Sequence, residues 1–363
     1  MTRPPSLDPF YAPVDGSPAP GEVVRIREVE LATGVPARAW QVVHGSVGTG
    51  SRPTAVSGTV LVPTRSWRRP GERPVVSYGV GVHGLGRDCA PSYLLRTGHE
   101  PELPLIGLAL GRGWTVAVTD GEGLGMAGPH TYGAGDPGGH AMLDVLRAGT
   151  YAVPGVSARA PMALWGYSEG GRCAAWAGEV HPGYAPELPL RGVAAGGVPA
   201  DLRSLARALD AGPCSGLALA VLVGLAHAYD RPELWRILNA RGRAAAARVV
   251  DLDVRRLLLE HRAPLRELTV RDLPWDAPDW ACVLDGELLG RRAPVAPTLL
   301  YHSLQDEVVP RAVARELRRD YEGRGALVDW LDVDAVDHQR GAGAGAAQAL
   351  AWLARRLVPR RTG

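Results

Sequence analysis

The chain has 363 residues, 46% apolar and 21% charged, a composition that excludes a mainly disordered protein and a length that accommodates one large α/β domain with an insertion or two ordinary domains. Its 40 basic residues, all arginine, stand against 38 acidic ones for a net charge of +2, without the basic stripe that a nucleic-acid backbone requires, so no nucleic-acid partner is expected. Four cysteines do not make a disulfide scaffold, and no Cys-x-x-Cys or Cys/His spacing suggests zinc, so no metal is expected.

The first twenty residues are rich in Pro and lack the basic start and apolar run of a signal peptide, which as written predicts a cytoplasmic protein. Residues 23–31, 39–43 and 55–62 read as short strands, an antiparallel opening. A β-branched and aromatic run at 74–78 precedes a glycine-crowded loop, 79–91. Strands and helices then alternate: helix 103–110 into strand 114–119, helix 140–152 into strand 162–167, helix 169–180 into strand 190–194. That is the βαβ pattern of a mostly parallel sheet.

The next strand, 298–302, lies much further on than the dozen or so residues a simple crossover needs. The intervening stretch has helical runs at 202–209, 217–229, 234–238 and 254–259, jointed by Pro and Gly. The domain division expected is a core with an N-terminal arm (1–199), a helical lid over the sheet's C-terminal edge (200–291), and the rest of the core (292–363). The last part carries helix 311–321, strand 327–331 and helix 346–357. The longest apolar stretch, 217–228, is too short to cross a bilayer. The cluster Arg355, Arg356, Arg360 and Arg361 reads as a solvated tail. Cys173 reads as a small core residue, while Cys89, Cys214 and Cys282 leave room for one pair.

Gly166-Tyr167-Ser168-Glu169-Gly170 fits G-x-S-x-G, directly after a strand and opening a helix. A serine on that tight turn is held in a strained conformation, and flanking glycines let neighbouring backbone approach. Serine is a weak nucleophile until a base accepts its proton and an acid orients the base, in the chain order serine, acid, histidine. Asp306, in the loop beyond strand 298–302, is the expected acid. His338, the only histidine after Asp306, is the expected base, placed before the last helix. Asp334 and Asp337 compete as acids but lie so near His338 that loop or N-cap roles suit them better. His302 competes as base, although its place at a strand end suggests packing or support.

An oxyanion needs two backbone N–H donors, one from the residue after the nucleophile and one from a loop after an early strand. Glu169 supplies the first; His83 is the choice for the second, with Gly84 as the fallback. The glycines at 121–123 and 133–139 lack a phosphate-loop lysine or a dinucleotide spacing and are assigned to loops.

The chain resembles the secretory lipase family of lipase A-type α/β-hydrolases. The segments that carry the resemblance are Asp8-Pro9-Phe10-Tyr11, Asp88-Cys89-Ala90-Pro91-Ser92-Tyr93, Gly166 through Gly171, Tyr184-Ala185-Pro186-Glu187-Leu188 and Asp306-Glu307-Val308-Val309-Pro310. The resemblance implies an α/β-hydrolase fold and hydrolysis of acyl glycerols or simpler acyl esters, without cofactor. It also implies a helical lid bearing the acyl-binding surface, and export as the alternative location. One departure is His83 after Ser77-Tyr78-Gly79, where many of these lipases carry Asp. An acyltransferase or peptidase with the same three residues, and a non-catalytic hydrolase-fold binding protein, are the alternatives.

Overall fold

The computed structural model describes residues 2–358 except 33, 211 and 272. Among these, nine strands make one sheet: β1 (Val23–Val29), β2 (Ala37–Val47), β3 (Pro53–Pro63), β4 (Val75–Gly79), β5 (Thr115–Thr119), β6 (Met162–Tyr167), β7 (Leu190–Gly196), β8 (Thr298–Ser303) and β9 (Val328–Val333). Their spatial order is β1-β2-β3-β5-β4-β6-β7-β8-β9. The first three strands and the β3/β5 contact are antiparallel. From β5 through β9 the sheet is parallel. Because β4 sits between β5 and β6, the chain leaves β4 in one direction and returns on its other side. The crevice at the C-terminal ends of β4 and β6 is therefore the topological switch point, where open α/β sheets bind ligands. This is an α/β-hydrolase fold.

The central strands are buried on both faces, as parallel strands covered by crossover helices must be. In β6, Met162 and Leu164 point to one layer, and Ala163, Trp165 and Tyr167 to the other. The first layer is built with α3 (Gly135–Ala152) and α4 (Glu169–Tyr184), the second with α1 (Pro91–Thr97) and α2 (Leu103–Gly111). Between β7 and β8 lie α5 (Leu202–Leu209), α6 (Ser215–Tyr229), α7 (Pro232–Trp235), α8 (Ala240–Val249), α9 (Val254–Glu260) and α10 (Pro278–Gly286). They gather a hydrophobic cluster of their own, which also takes in Leu85, Tyr132 and Val309. Finally α11 (Arg311–Gly323) joins the first layer and α12 (His338–Leu357) the second.

Several elements depart from their sequence expectation for local reasons. The glycines expected in a loop at 135–139 instead open α3. A Cβ at Gly135 would overlap the Trp176 ring, and one at Gly138 would press on the Cys173 sulfur. These glycines let α3 and α4 approach, a packing requirement that outweighs their poor helix propensity. Helix α1 was hidden because its cap is remote in sequence: Asp120, just after β5, accepts from the Ser92 amide at 2.7 Å and hydroxyl at 2.6 Å. Helix α8 gives no apolar period because its buried positions are Gly242, Ala246 and Val249. Helix α10 was likewise absent from the expectation.

Helix α6, the longest apolar run, is buried nearly all round, as a helix without a polar face must be. No helix among the described residues is long and apolar enough to cross a membrane. All four cysteines are free, so the one pair that Cys89, Cys214 and Cys282 leave room for is not formed. Arg355 and Arg356 lie in the last turn of α12 rather than in a tail, with Arg356 stacked over Trp352; Arg360 and Arg361 lie outside the described residues.

Candidate active site

Ser168 ends β6 and opens α4 with φ 57° and ψ −122°, a conformation that L residues adopt only under constraint. The constraint is visible. The Ser168 amide donates to Gly196 O at 2.9 Å, and its carbonyl accepts from the Arg172 amide at 2.9 Å. A Cβ at Gly166 would overlap the Gly170 carbonyl, and one at Gly170 the Gly79 carbonyl. Three glycines thus let β4, β6 and the start of α4 meet backbone to backbone, and the turn cannot relax.

Asp306 stands in the loop after β8. Its Oδ1 accepts from the amides of Val308 (3.0 Å) and Val309 (2.7 Å), and its side chain has no exposed surface. Oδ2 lies 2.7 Å from His338 Nδ1 and 3.2 Å from His302 Nε2. Burial alone would raise this carboxyl. Hydrogen bonds from His302 and His338, the His338 charge and the Val309 amide outweigh burial and hold it far below the usual carboxylate range.

His338 Nε2 lies 2.8 Å from Ser168 Oγ. With Nδ1 donating to the Asp306 carboxylate, Nε2 is left to accept the serine hydroxyl. The three residues expected from chain order therefore form one hydrogen-bonded relay. His338 is the first residue of α12 rather than a residue before it, and Asp337 is the N-cap, accepting from the Arg340 amide at 2.6 Å. His338 is further fixed by its own amide, which donates to Glu307 Oε2 at 2.8 Å. His302 donates Nε2–H to Val309 O at 3.0 Å beside Asp306, so it supports the acid and does not approach the serine.

Of the two residues expected at the oxyanion position, Glu169 begins α4 immediately after Ser168. The His83 carbonyl accepts from the Val254 amide at 2.9 Å, and its ring is buried against Glu100. Next to it, Gly84 bridges Asp253. A cavity of about 60 Å³ lies between the β4–α1 loop and the start of α4, lined by Gly79 through His83 on one side and by Glu169, Gly170 and Cys173 on the other. Among the described residues no group of three or more His, Cys, Asp or Glu side chains is arranged to hold a metal.

Sequence reasoning missed Arg172, Glu287, Glu100 and Glu102. Arg172, 1% exposed, pairs with Glu287 at 2.7 Å and also donates to the carbonyls of Gly133, Pro199 and Glu287. It fixes the first turn of α4 to three loops. An arginine four residues after the serine was the available signal, but its partners come from distant segments.

Two of the segments that carry the resemblance meet in space: the Tyr11 hydroxyl pairs with Ser92 Oγ at 2.9 Å, while Asp8 of the first pairs with Arg27 at 2.6 Å. Tyr184 donates to Asp144 Oδ2 at 2.7 Å, and Arg147 joins Asp144 to Glu187.

A model of the secretory lipase family matches residues 92–258 and 278–362. A Mycobacterium tuberculosis protein named as a probable inactive lipase is 30% identical, over 98% of this chain and 82% of its own length. Lipase A of Arthroderma benhamiae is also 30% identical, over 98% of this chain and 80% of its own. The solved structure of Candida antarctica lipase A in its closed state aligns with a TM-score of 0.88 at 25% identity, covering 99% of this chain and 88% of that one. With the elbow, the strand order and these likenesses in agreement, the chain belongs to the secretory lipase family.

Proposed function

We propose that the protein is a serine carboxylic-ester hydrolase that works through an acyl-enzyme on Ser168. The observation that carries this is the unbroken relay from Ser168 Oγ to His338 Nε2 at 2.8 Å and from His338 Nδ1 to Asp306 at 2.7 Å, on a serine held at positive φ. Ser168 Oγ attacks the ester carbonyl while His338 takes its proton, and Asp306 steadies the resulting imidazolium. His338 returns the proton to the leaving alkoxide, so the alcohol departs and the acyl group stays on Ser168. Water, deprotonated by the same imidazole, then releases the acid. The Glu169 amide and an N–H of the β4–α1 loop, at His83 or Gly84, receive the oxyanion. Helices α5 to α10 act as a lid over the C-terminal edge, and their apolar cluster supports an acyl ester or lipid as substrate. The family's secretory character supports export rather than the cytoplasmic location expected from the first twenty residues.

The relative named as a probable inactive lipase favours a second reading, a hydrolase fold kept for binding. Hydrolysis of p-nitrophenyl esters from acetate to palmitate, run beside Ser168→Ala and beside fluorophosphonate labelling, separates the two. Turnover and labelling that both vanish in Ser168→Ala are expected. A folded protein that neither hydrolyses any ester nor takes the label would establish the binding reading instead.

A further inference from the structure

His83 stands at the bend of the β4–α1 loop with both ring nitrogens facing groups that can only accept. Nδ1 is 2.7 Å from Gly81 O, and Nε2 is 2.9 Å from each Glu100 carboxylate oxygen. A backbone carbonyl has no proton to give, and an ionised carboxylate has none either. With Glu100 ionised, the hydrogen-bond inventory is complete only when both nitrogens carry a proton. The pair is sealed from water, His83 being 7% and Glu100 4% exposed.

Glu100 is itself braced. Its Oε1 accepts from the Glu102 amide at 2.9 Å. Glu102 then reaches back with Oε1 to the Gly81 amide at 2.8 Å and with Oε2 to the Tyr78 hydroxyl at 2.5 Å. Two carboxylates just before α2 thus grip the loop at Tyr78, Gly81 and His83. That loop forms one wall of the cavity whose other wall includes Glu169 and Gly170, next to the nucleophile.

We propose that Glu100 is a positioning residue: it holds His83 as a buried imidazolium, and this ion pair shapes the 79–84 segment to receive the oxyanion. The inference rests on the ester-hydrolase reading for its catalytic consequence, though not for the charge state of His83. Burial disfavours the cation, but the Glu100 hydrogen bond and charge, together with the Glu102 charge, outweigh it and push the His83 pKa up to about 9.

The other titratable groups around it are Tyr78 and Glu102 on the loop side and Asp120, Glu122, His130, Tyr132, Glu169 and Cys173 around the cavity. Burial lowers His130 to about 4, with the His83 charge adding to that shift, so His130 is neutral where His83 is charged. Since the folded-state value of His83 is raised, its pairing is complete below the ordinary imidazole range and is lost as pH rises through about 9.

The test uses the whole chain labelled with ¹⁵N in its histidine rings. Long-range proton–nitrogen correlation at pH 7.5 is expected to show two protonated ring nitrogens for His83 in the native protein and one bare nitrogen in Glu100→Gln. With p-nitrophenyl acetate, Glu100→Gln is expected to lower kcat roughly 10- to 100-fold, with KM within about twofold, because a displaced 79–84 segment no longer presents its N–H donor to the transition state. A bare ring nitrogen on native His83 overturns the proposal, as does a folded Glu100→Gln with native kcat. Should Glu100→Gln fail to fold, His83→Gln is expected to show the same kcat loss at native KM, and native kcat there overturns the proposal. If no ester is turned over, the ring-nitrogen signature of the native protein still decides the ion pair.

Discussion

Arg172 and Glu287 form an ion pair at 2.7 Å in which the side chains keep 1% and 3% of their exposure. The pair joins the helix that begins at the nucleophile to the segment that returns from the helical insertion. Glu287 Oε2 also accepts from the Gly135 amide at 2.7 Å, and Tyr229 donates to its Oε1 at 3.1 Å. Every polar atom of the carboxylate is used.

Removing one partner leaves the other charge buried without compensation, which costs about 3–5 kcal/mol. Glu287→Ala is therefore expected to lower stability by that order, read as a fall in the urea midpoint. The carbonyls of Gly133 and Pro199 still receive Arg172, so the variant keeps its fold under native conditions. A loss below about 1 kcal/mol would mean that the site relaxes or floods with water.

Asp306→Asn keeps the shape of the acid but changes what it can accept, and His338 loses the partner that fixes its tautomer. A fall in kcat of about 10³- to 10⁴-fold is expected. His302→Phe removes the Nε2–H that Val309 O at 3.0 Å and the charged Asp306 carboxylate at 3.2 Å share, and a hydrogen bond to a charged group is worth about 1.5–3 kcal/mol. Roughly 10- to 100-fold of kcat/KM should disappear with it if the bond acts in the transition state. Near-native rates in Asp306→Asn, on protein whose circular dichroism is unchanged, would remove Asp306 from the relay.

Asp120 is buried and accepts from Ser57 Oγ at 2.5 Å, Ser92 Oγ at 2.6 Å and the Ser92 amide at 2.7 Å. Burial pushes its pKa up to about 6 against those three bonds. The folded protein thus binds this proton more tightly than the unfolded chain, whose Asp titrates near ~3.9. Its contribution to stability is greatest below that value and is lost as pH rises through about 6. The loss amounts to about 3 kcal/mol, at roughly 1.36 kcal/mol per unit. Urea unfolding at pH 4.5 and 7.5 should show a flatter pH dependence in Asp120→Asn than in the native protein; equal slopes would refute the assignment.

The four thiols should differ in reactivity. Cys282 is exposed, whereas burial pushes Cys89 up to about 12 and raises Cys173 well above the ordinary thiol. Since the thiolate is the reactive species, Ellman's reagent should modify Cys282 first and reach Cys89 and Cys173 only on unfolding. Rapid native modification of Cys173 would show that the cavity it lines opens to solvent.

The sequence by itself determined what depends on near neighbours and on chain order. Apolar runs at strand length placed all nine strands to within a few residues, and G-x-S-x-G in strand-to-helix context marked the turn at Ser168. The order Ser168, Asp306, His338 then named three residues that the fold brings within hydrogen-bond reach. The physical reason is that burial periodicity and tight-turn chemistry are local, so they are written in consecutive residues.

Tertiary structure alone decided what depends on partners far along the chain. Glycines 135 to 139 look like a loop until Trp176 and Cys173 occupy the space their side chains would need. Helix α1 has no local cap until Asp120 arrives from the end of β5. Arg172 meets Glu287 across the insertion, and His83 gains a buried carboxylate partner only because Glu100 closes on it. Close packing and the pairing of buried charges are satisfied in three dimensions, and no spacing along the chain encodes which segments will meet.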